Sequence, residues 1–156
     1  MEKEFKKTIQ ECQKIIGKVC SLYRDTKQDQ EDLFQEIVYQ LWKSYPRFRG
    51  ESKASSWVYR IALNTAIVVY RKPGLAIKYY DEVPDHLHPS SEKIRSDNEE
   101  KLFNALRKLS DVEKGIVSLY LDDFSYREIA DITGISESNV GVRLNRIKNK
   151  LKQLIN

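Results

Sequence analysis

The basic residues near the end of the chain are the first side chains whose type and spacing indicate a chemistry. From Glu137 onward the sequence holds five basic residues and one acid. Four polar or basic residues would share one side of a helix there: Asn139, Arg143, Arg146 and Lys150. Such a face suits the phosphates and base edges of a DNA major groove. The alternative is a solvated basic face on an ordinary helical hairpin, which charge alone would favour.

The residues before this helix favour the DNA-binding interpretation. A helix-turn-helix packs a short helix against a second one across a tight turn, which requires a small contact residue and a turn residue that tolerates positive φ. Ala130 and Gly134 supply these, and Val140 would be the first buried position of the second helix. Residues 125–128 (Ser-Tyr-Arg-Glu) form a capping-box pattern that would begin the short helix, and Ser136 can cap the second.

A second candidate site interleaves aromatic and basic residues in the first half of the chain, at residues 42–52 and 57–60. Cations attract a phosphate backbone, and an exposed ring can stack on an unpaired base for about 1–3 kcal/mol. The mixture therefore suits separated strands better than intact duplex. Most of these rings are expected in the core. Phe48 and Tyr45 are the ones we expect to be exposed.

Steps of three and four between apolar residues predict three helices that would position this second site. The first extends over residues 5–23. The second begins after Asp29 and ends at Pro46, and the third extends over residues 55–72, with Arg60 and Asn64 on its polar side.

The remaining residues divide into a linker and a second helical domain. Residues 73–97 contain prolines, serines and an acidic excess without a sustained period, which predicts a flexible linker. Residues 98–156 return to short helical patterns, and Ser110 with Glu113 forms another capping box. No segment shows a pattern that would predict a strand. We therefore predict an all-α fold of two small helical domains joined by a flexible linker, the C-terminal one a helix-turn-helix.

Charge distribution points to a polyanionic partner. Residues 1–72 carry a net charge of +5, residues 73–100 carry −4 and residues 101–156 carry +3. Two basic lobes around an acidic middle suggest two surfaces that face nucleic acid.

The sequence lacks the residue patterns that enzymes and metal-binding proteins require. The six glycines form no phosphate-binding loop, and no cluster of carboxylates with histidine indicates an enzyme. Cys12 and Cys20 are expected as buried apolar residues, and His86 and His88 as linker residues, so neither a metal nor a cofactor is predicted. Without a signal peptide or spanning segment, we expect a cytoplasmic protein with no membrane insertion.

Several blocks of the sequence resemble the sigma-70 family of bacterial RNA polymerase sigma factors. Four blocks resemble the family's second conserved region: residues 32–36 (Asp-Leu-Phe-Gln-Glu), 41–42 (Leu-Trp), 46–52 (Pro-Arg-Phe-Arg-Gly-Glu-Ser) and 56–64 (Ser-Trp-Val-Tyr-Arg-Ile-Ala-Leu-Asn). Residues 125–130 (Ser-Tyr-Arg-Glu-Ile-Ala), with the helix that follows, resemble the fourth region. A direct linker between them, with no third domain, resembles the extracytoplasmic-function (ECF) group.

This resemblance implies a transcription initiation factor that directs promoter recognition and melting, not an enzyme. Residues 1–72 would be region 2 and residues 98–156 region 4. The implied partners are promoter DNA, core RNA polymerase (the clamp helices of its largest subunit, and its flap) and an anti-sigma factor, with a monomer as the free state. The implied contacts with core polymerase are Asp32, Leu33, Gln35, Glu36 and Gln40. Those with the separated minus-ten strand, where a flipped base would be read, are Phe48, Arg49, Ser52, Lys53, Arg60 and Asn64. Those with the minus-thirty-five duplex are Ser125, Tyr126, Arg127, Ser136, Ser138, Asn139, Val142, Arg143, Arg146 and Lys148.

The recognition helix departs from the family pattern at one point. Relatives commonly carry a basic and then a small polar residue where this chain has Gly141 and Val142. We expect base reading there to shift toward apolar contact, as with a thymine methyl group. A stand-alone helix-turn-helix regulator is the alternative function, and it would require a dimerisation element.

Overall fold

The computed structural model describes residues 1–48, 50, 52–71 and 96–155, with the backbone alone at residues 68–71. Within these ranges every regular element is a helix, which confirms the all-α prediction. The chain divides into two compact units, whose described parts are residues 1–71 and 96–155. Most of the linker predicted at residues 73–97 lies outside the described residues, and so do His86 and His88. The side chains at residues 68–71, at the end of the predicted third helix, also lie outside them.

The N-terminal unit contains four α-helices and one turn of 3-10 helix. In chain order these are α1 (Glu2–Glu11), α2 (Gln13–Tyr23), α3 (Lys27–Ser44), the 3-10 turn (Tyr45–Arg47) and α4 (Ala54–Arg71). The single helix predicted at residues 5–23 is divided at Cys12, where φ is −104° and ψ is 10°. The prediction that α3 follows Asp29 was also wrong. The helix begins at Lys27, because the Thr26 hydroxyl oxygen accepts the Asp29 N–H at 3.1 Å and caps the first turn.

The core of this unit lies where α2, α3 and α4 pack on one another, with α1 against α2. Its largest fully buried side chains come from all four helices and include Phe5, Ile16, Leu22, Phe34, Leu41 and Tyr59. The apolar stripes read from the sequence therefore meet in one core. The polar side of α4 remains at the surface.

The C-terminal unit contains four helices: α5 (Asp97–Arg107), α6 (Asp111–Leu121), α7 (Tyr126–Thr133) and α8 (Glu137–Ile155). Helices α5, α6 and α7 all pack against α8. Val140, Leu144 and Ile147 of α8 are buried, but Leu154 is 38% exposed. The predicted apolar stripe thus leaves the core before the helix ends, because α8 has 19 residues and its partners have only 8 to 11.

No helix in the described ranges is both long enough and apolar enough to cross a lipid bilayer.

Candidate nucleic-acid and polymerase interfaces

The turn between α7 and α8 is fixed by local hydrogen bonds that the sequence predicted. Ser125 and Glu128 form a reciprocal capping box, in which the Glu128 N–H donates to Ser125 Oγ at 3.1 Å and the Ser125 N–H donates to Glu128 Oε1 at 3.0 Å. Gly134 ends α7 in the left-handed region with φ at 79°, and its N–H donates to the Ala130 carbonyl at 2.9 Å. Ser136 Oγ accepts the Asn139 N–H at 3.2 Å at the start of α8. The helix-turn-helix geometry is therefore present.

The caps also define what Ser125 and Ser136 can offer to DNA. Each hydroxyl oxygen already accepts a backbone N–H, but a serine hydroxyl also carries one donor. That donor can point at a phosphate oxygen while the cap is kept. Both residues are exposed.

One side of α8 points away from the core and carries four of the ten predicted duplex contacts. An open groove runs along its first half, beside the start of α7, and is lined by Tyr126, Ser138, Gly141, Val142, Asn145, Arg146 and Lys148. Val142 is 49% exposed and Tyr126 is 39% exposed. Arg127 and Asn139 are also exposed. The groove therefore combines an apolar centre with polar and cationic borders.

The structure corrects the prediction that Asn139, Arg143, Arg146 and Lys150 share this groove-facing side. Arg143 is half-buried on the flank of α8 and does not line the groove. The Lys150 ammonium lies 3.1 Å from Glu113 Oε1 of α6, in an ion pair within the unit. Because both residues lie between the core stripe and the outward side, neighbouring elements determine their contacts. Arg143 stays a predicted DNA contact, but from the flank.

Lys148 is exposed at the edge of the groove, and its ammonium is already engaged. It donates to the Tyr120 hydroxyl at 3.1 Å and lies 4.6 Å from the centre of the Tyr120 ring. The hydrogen bond to Tyr120 raises the pKa of Lys148 above that of an ordinary lysine. Its predicted role in DNA binding is compatible with these contacts, since an ammonium has three donors.

Asn145 is a groove residue that the sequence reasoning missed. It is exposed and lies three residues after Val142 on the same side of α8. The available signal was its spacing, because Ser138, Val142 and Asn145 are the outward counterparts of the buried Val140, Leu144 and Ile147.

The rings of the second candidate site form a packed cluster instead of an exposed platform. Phe48 stacks on Trp57 with 4.6 Å between ring centres, and Tyr45 lies 6.0 Å from Trp57. Phe5 of α1 meets Trp42 at 5.0 Å and Tyr45 at 5.3 Å, both edge to face. Phe48 and Tyr45 are half-buried, so the expectation that they stand exposed was wrong. Each ring of the cluster instead packs against a neighbouring ring.

The polar residues predicted for the minus-ten strand lie beside this cluster. Arg60 and Asn64 are both exposed and one helical turn apart on α4. Ser52 and Lys53 are exposed just before α4, and the Lys53 carbonyl accepts the Trp57 N–H at 3.1 Å in the first turn. Arg49 lies outside the described residues. The structure thus brings four predicted polar residues to the surface around the start and the polar side of α4.

The predicted polymerase contacts on α3 differ in their exposure. Asp32 is exposed, and Gln35 and Gln40 are half-buried. Leu33 and Glu36 are each 2% exposed, which corrects the expectation that Glu36 shares an exposed acidic edge with Asp32 and Gln35. The physical reason is the packing of α3, because Glu36 lies three residues from each of the buried Leu33 and Tyr39, on a side of the helix that is covered there.

The buried Glu36 carboxylate is only partly satisfied. Gln40 Nε2 donates to Glu36 Oε1 at 3.0 Å, whereas Oε2 has no hydrogen-bond partner among the described residues. Gln40 therefore holds one carboxylate oxygen from the next turn of α3. The contact roles of Leu33 and Glu36 remain predictions that require a side chain to move.

Both cysteines are buried, as the sequence predicted. Cys12 is 6% exposed and Cys20 is 3% exposed. Burial raises the pKa of Cys12, and it raises the pKa of Cys20 to about 12. The Cys20 thiol is therefore protonated at neutral pH and a poor nucleophile.

Comparison with known proteins identifies both units. The profile of Sigma-70 region 2 matches residues 8–74, and the profile of Sigma-70 region 4 matches residues 99–151. The ECF RNA polymerase sigma-E factor of Haemophilus influenzae is 31% identical over 148 residues, which cover 83% of this chain and 78% of that protein. The RNA polymerase sigma factor YlaC of Bacillus subtilis is 32% identical over 136 residues, which cover 79% of this chain and 75% of that protein.

A solved structure shares the fold. The sigma factor RpoE, crystallised in complex with the anti-sigma factor NepR from Bartonella quintana, superposes with a TM-score of 0.74 at 23% identity, over 98% of this chain and 97% of that one. The two conserved regions follow one another in the order of the two helical units, and the sigma-E relative matches over most of its length. On this evidence the chain belongs to the sigma-70 family of RNA polymerase sigma factors, in the extracytoplasmic-function group.

Proposed function

We propose that this sigma factor acts in the cytoplasm and initiates transcription through three surfaces, each with a separate task. The α3 helix binds core polymerase, the start and polar side of α4 hold the separated minus-ten strand, and α8 reads the minus-thirty-five duplex. The proposal rests on the side chains that the outward side of α8 presents. There a helix-turn-helix with complete caps presents exposed polar, apolar and cationic side chains in one groove.

Docking to core polymerase rests on α3. Asp32 is exposed and Gln35 is half-buried one turn along, and the half-buried Gln40 donates to the Glu36 carboxylate. We assign this surface to the clamp helices of the largest subunit, with Leu33 and Glu36 supporting it from inside. The C-terminal unit makes the second contact, with the polymerase flap.

Melting rests on the surface beside the aromatic cluster. Arg60, Lys53 and Ser52 supply donors for phosphates, and Asn64 supplies an amide that can read the edge of an unpaired base. Flipping a base out of the stack costs a few kcal/mol. Phe48, whose ring is half-buried against Trp57, provides an aromatic face for the flipped base, and Arg49 adds a cation.

Duplex reading rests on the C-terminal unit. Ser125, Arg127 and Ser136 lie at helix starts and anchor phosphates, in keeping with the positive end of each helix dipole. Along α8 the remaining contacts follow one another from its first turn: Ser138, Asn139, Val142, Arg143, Arg146 and Lys148. Tyr126 closes one side of the groove.

A protein partner restrains the factor under this proposal. RpoE of Bartonella quintana was crystallised with an anti-sigma factor, and we extend that mode of control to this chain. The free protein is then a monomer, and the anti-sigma factor competes with core polymerase for it.

Run-off transcription tests the function directly. Purified core RNA polymerase is incubated with the chain and a library of promoter fragments whose minus-thirty-five and minus-ten elements are randomised, and the transcribed templates are sequenced. We expect transcripts that depend on the chain and share two sequence elements. Specific duplex binding by a dimer, without any transcript from core polymerase, would instead support a stand-alone regulator and contradict the proposal.

A further inference from the structure

The groove on α8 has an apolar centre at the position where the recognition helix lacks charged side chains. Val142 is 49% exposed on the outward side of the helix. Beside it, the absence of a side chain at Gly141 leaves the Tyr126 ring uncovered toward the groove. A Cβ atom at position 141 would lie 3.4 Å from Tyr126 Cε2 and 3.8 Å from Cδ2. The valine methyl groups and the tyrosine ring edge therefore line one groove.

The borders of this centre are polar and cationic. Asn145 and Arg146 follow Val142 by three and four residues, which places them beside it on the helix surface. Ser138 lies one turn before it. An apolar spot enclosed by donors and a cation is complementary to an apolar group on a surface that is otherwise polar and anionic.

The major groove of DNA offers such a group at one base. The 5-methyl group of thymine is the apolar feature of the major-groove edges, and it is surrounded by hydrogen-bonding atoms and phosphates. Arg146 and Asn145 can engage those polar neighbours while Val142 approaches the methyl group.

We infer that Val142, with the Tyr126 ring beside it, is a specificity-determining residue that selects thymine at one position of the minus-thirty-five duplex through its 5-methyl group. The inference rests on the proposed duplex-reading function of α8. Gly141 contributes by its lack of a side chain, since a larger residue there would cover the ring and narrow the space for the methyl group.

The first experiment determines the preferred base. The full chain, free and bound to core polymerase, is used to select duplexes from a library with a randomised central segment. Wild type is compared with Val142→Ala and with Val112→Ala. Val112 is a matched control, because it is a valine of the same unit with 46% exposure and lies on α6, outside the groove. We expect one thymine to be enriched by wild type and by Val112→Ala, and that preference to be lost in Val142→Ala.

The second experiment isolates the methyl group without altering the protein. Each thymidine of the selected duplex is replaced in turn by deoxyuridine, which removes the methyl group and leaves the hydrogen-bonding atoms. At one position wild type should lose about fourfold in affinity, the effect of one buried methyl group. Val142→Ala should show a clearly smaller loss there, and Val112→Ala the full loss.

Two outcomes would overturn the inference, and they are distinguishable from failure of the proposed function. Specific duplex binding with no sensitivity to deoxyuridine at any position refutes thymine reading and leaves promoter recognition intact. An equal loss in wild type and Val142→Ala places the methyl contact on another residue. If neither the free chain nor its polymerase complex selects any duplex sequence, both the inference and the assignment of α8 to the minus-thirty-five element fall together.

Discussion

Replacing Lys150 by methionine separates the structural cations of α8 from those that face DNA. Methionine keeps the unbranched stem and nearly the same helix propensity, and it removes the ammonium that lies 3.1 Å from Glu113 Oε1. Because Lys150 is engaged with α6, we expect the substitution to reduce stability and to leave DNA affinity almost unchanged. Arg146→Met on the groove-lining side should do the reverse.

The size of the stability loss follows from the exposure of the two partners. The Glu113 side chain is 20% exposed, but that of Lys150 is 49% exposed, so solvent screens much of the attraction. An ion pair of this kind contributes about 0.5–1 kcal/mol, the upper half of the range for surface pairs. The same carboxylate oxygen accepts the Ser110 N–H at 3.0 Å, and that capping contact survives in the variant.

The loss should depend on pH in a defined direction. Burial acts to raise the pKa of Glu113, but hydrogen bonds from the Ser110 N–H and the Lys150 ammonium outweigh it and hold that pKa below its usual value. A carboxyl whose pKa is lowered on folding stabilises the fold at pH values above the pKa of the unfolded chain. The difference between wild type and Lys150→Met should therefore be complete near neutral pH. It should disappear as pH falls from about 4.3, where an unfolded glutamate titrates, through the lower folded value.

Amide hydrogen exchange of the α6 core is the suitable assay. Trp42 and Trp57, the two tryptophans of the chain, both lie in the N-terminal unit, so their fluorescence does not report on this one. Exchange at the buried Ile116 and Leu119 should become about two- to fivefold faster in Lys150→Met at neutral pH. Unchanged exchange would refute the structural role of the ion pair.

The DNA arm of the experiment uses the salt dependence of duplex binding by the full chain. Each lost phosphate contact lowers the slope of log affinity against log salt by about 0.9. Arg146→Met should lower the affinity, and it should lower the slope by that amount if Arg146 contacts a phosphate, whereas Lys150→Met should change neither. A loss of slope in Lys150→Met would mean that Lys150 leaves Glu113 to bind DNA, and the assignment of its role would be wrong.

Three further outcomes follow from the structure. Gln35→Ala should weaken binding to core polymerase by about tenfold, the effect of losing a contact at the centre of an interface. Gln10→Ala, on the exposed side of α1, should leave the affinity unchanged. If Gln35→Ala and wild type bind core polymerase equally in a pull-down, α3 is not part of the docking surface. Asn64→Ala should reduce strand opening, measured by permanganate reactivity of the minus-ten thymines, and should change the preference at one base. Asn104→Ala, at another exposed asparagine, should leave both as in wild type. Gly141→Ala should raise the free energy of unfolding by about 0.5–1 kcal/mol, because alanine has the higher helix propensity. The new Cβ atom fits, since it would meet the Tyr126 ring at van der Waals distance. A loss of stability in thermal denaturation would show that the ring cannot accommodate it.

Local chemistry is what the sequence predicted well. Both capping boxes and the left-handed Gly134 depend on residues at most four apart, so their hydrogen bonds could be assigned before any packing was known. Thr26 is also a local cap, but the prediction that α3 begins after Asp29 did not include it. The helical content followed from apolar periodicity, and the division into two domains followed from the proline- and acid-rich composition of residues 73–97.

Exposure is what the tertiary structure decided, since it depends on partners that are distant in the sequence. Phe48 carries the residue type of an exposed stacking ring, but Trp57 packs against it. Glu36 has a charged side chain, yet it is buried with Leu33 in the unit where α3 packs on α2 and α4.

The direction of each α8 side chain was set in the same way. Lys150 is paired because α6 brings Glu113 to it across 37 residues of sequence, whereas Asn145 is exposed because no element covers that side of the helix among the described residues. A periodic pattern identifies a buried stripe and its opposite, but the residues between them take their contacts from whichever element packs alongside. The sequence by itself therefore determined the all-helical class, both capping boxes and the family, and packing determined which side chains remain available to DNA and polymerase.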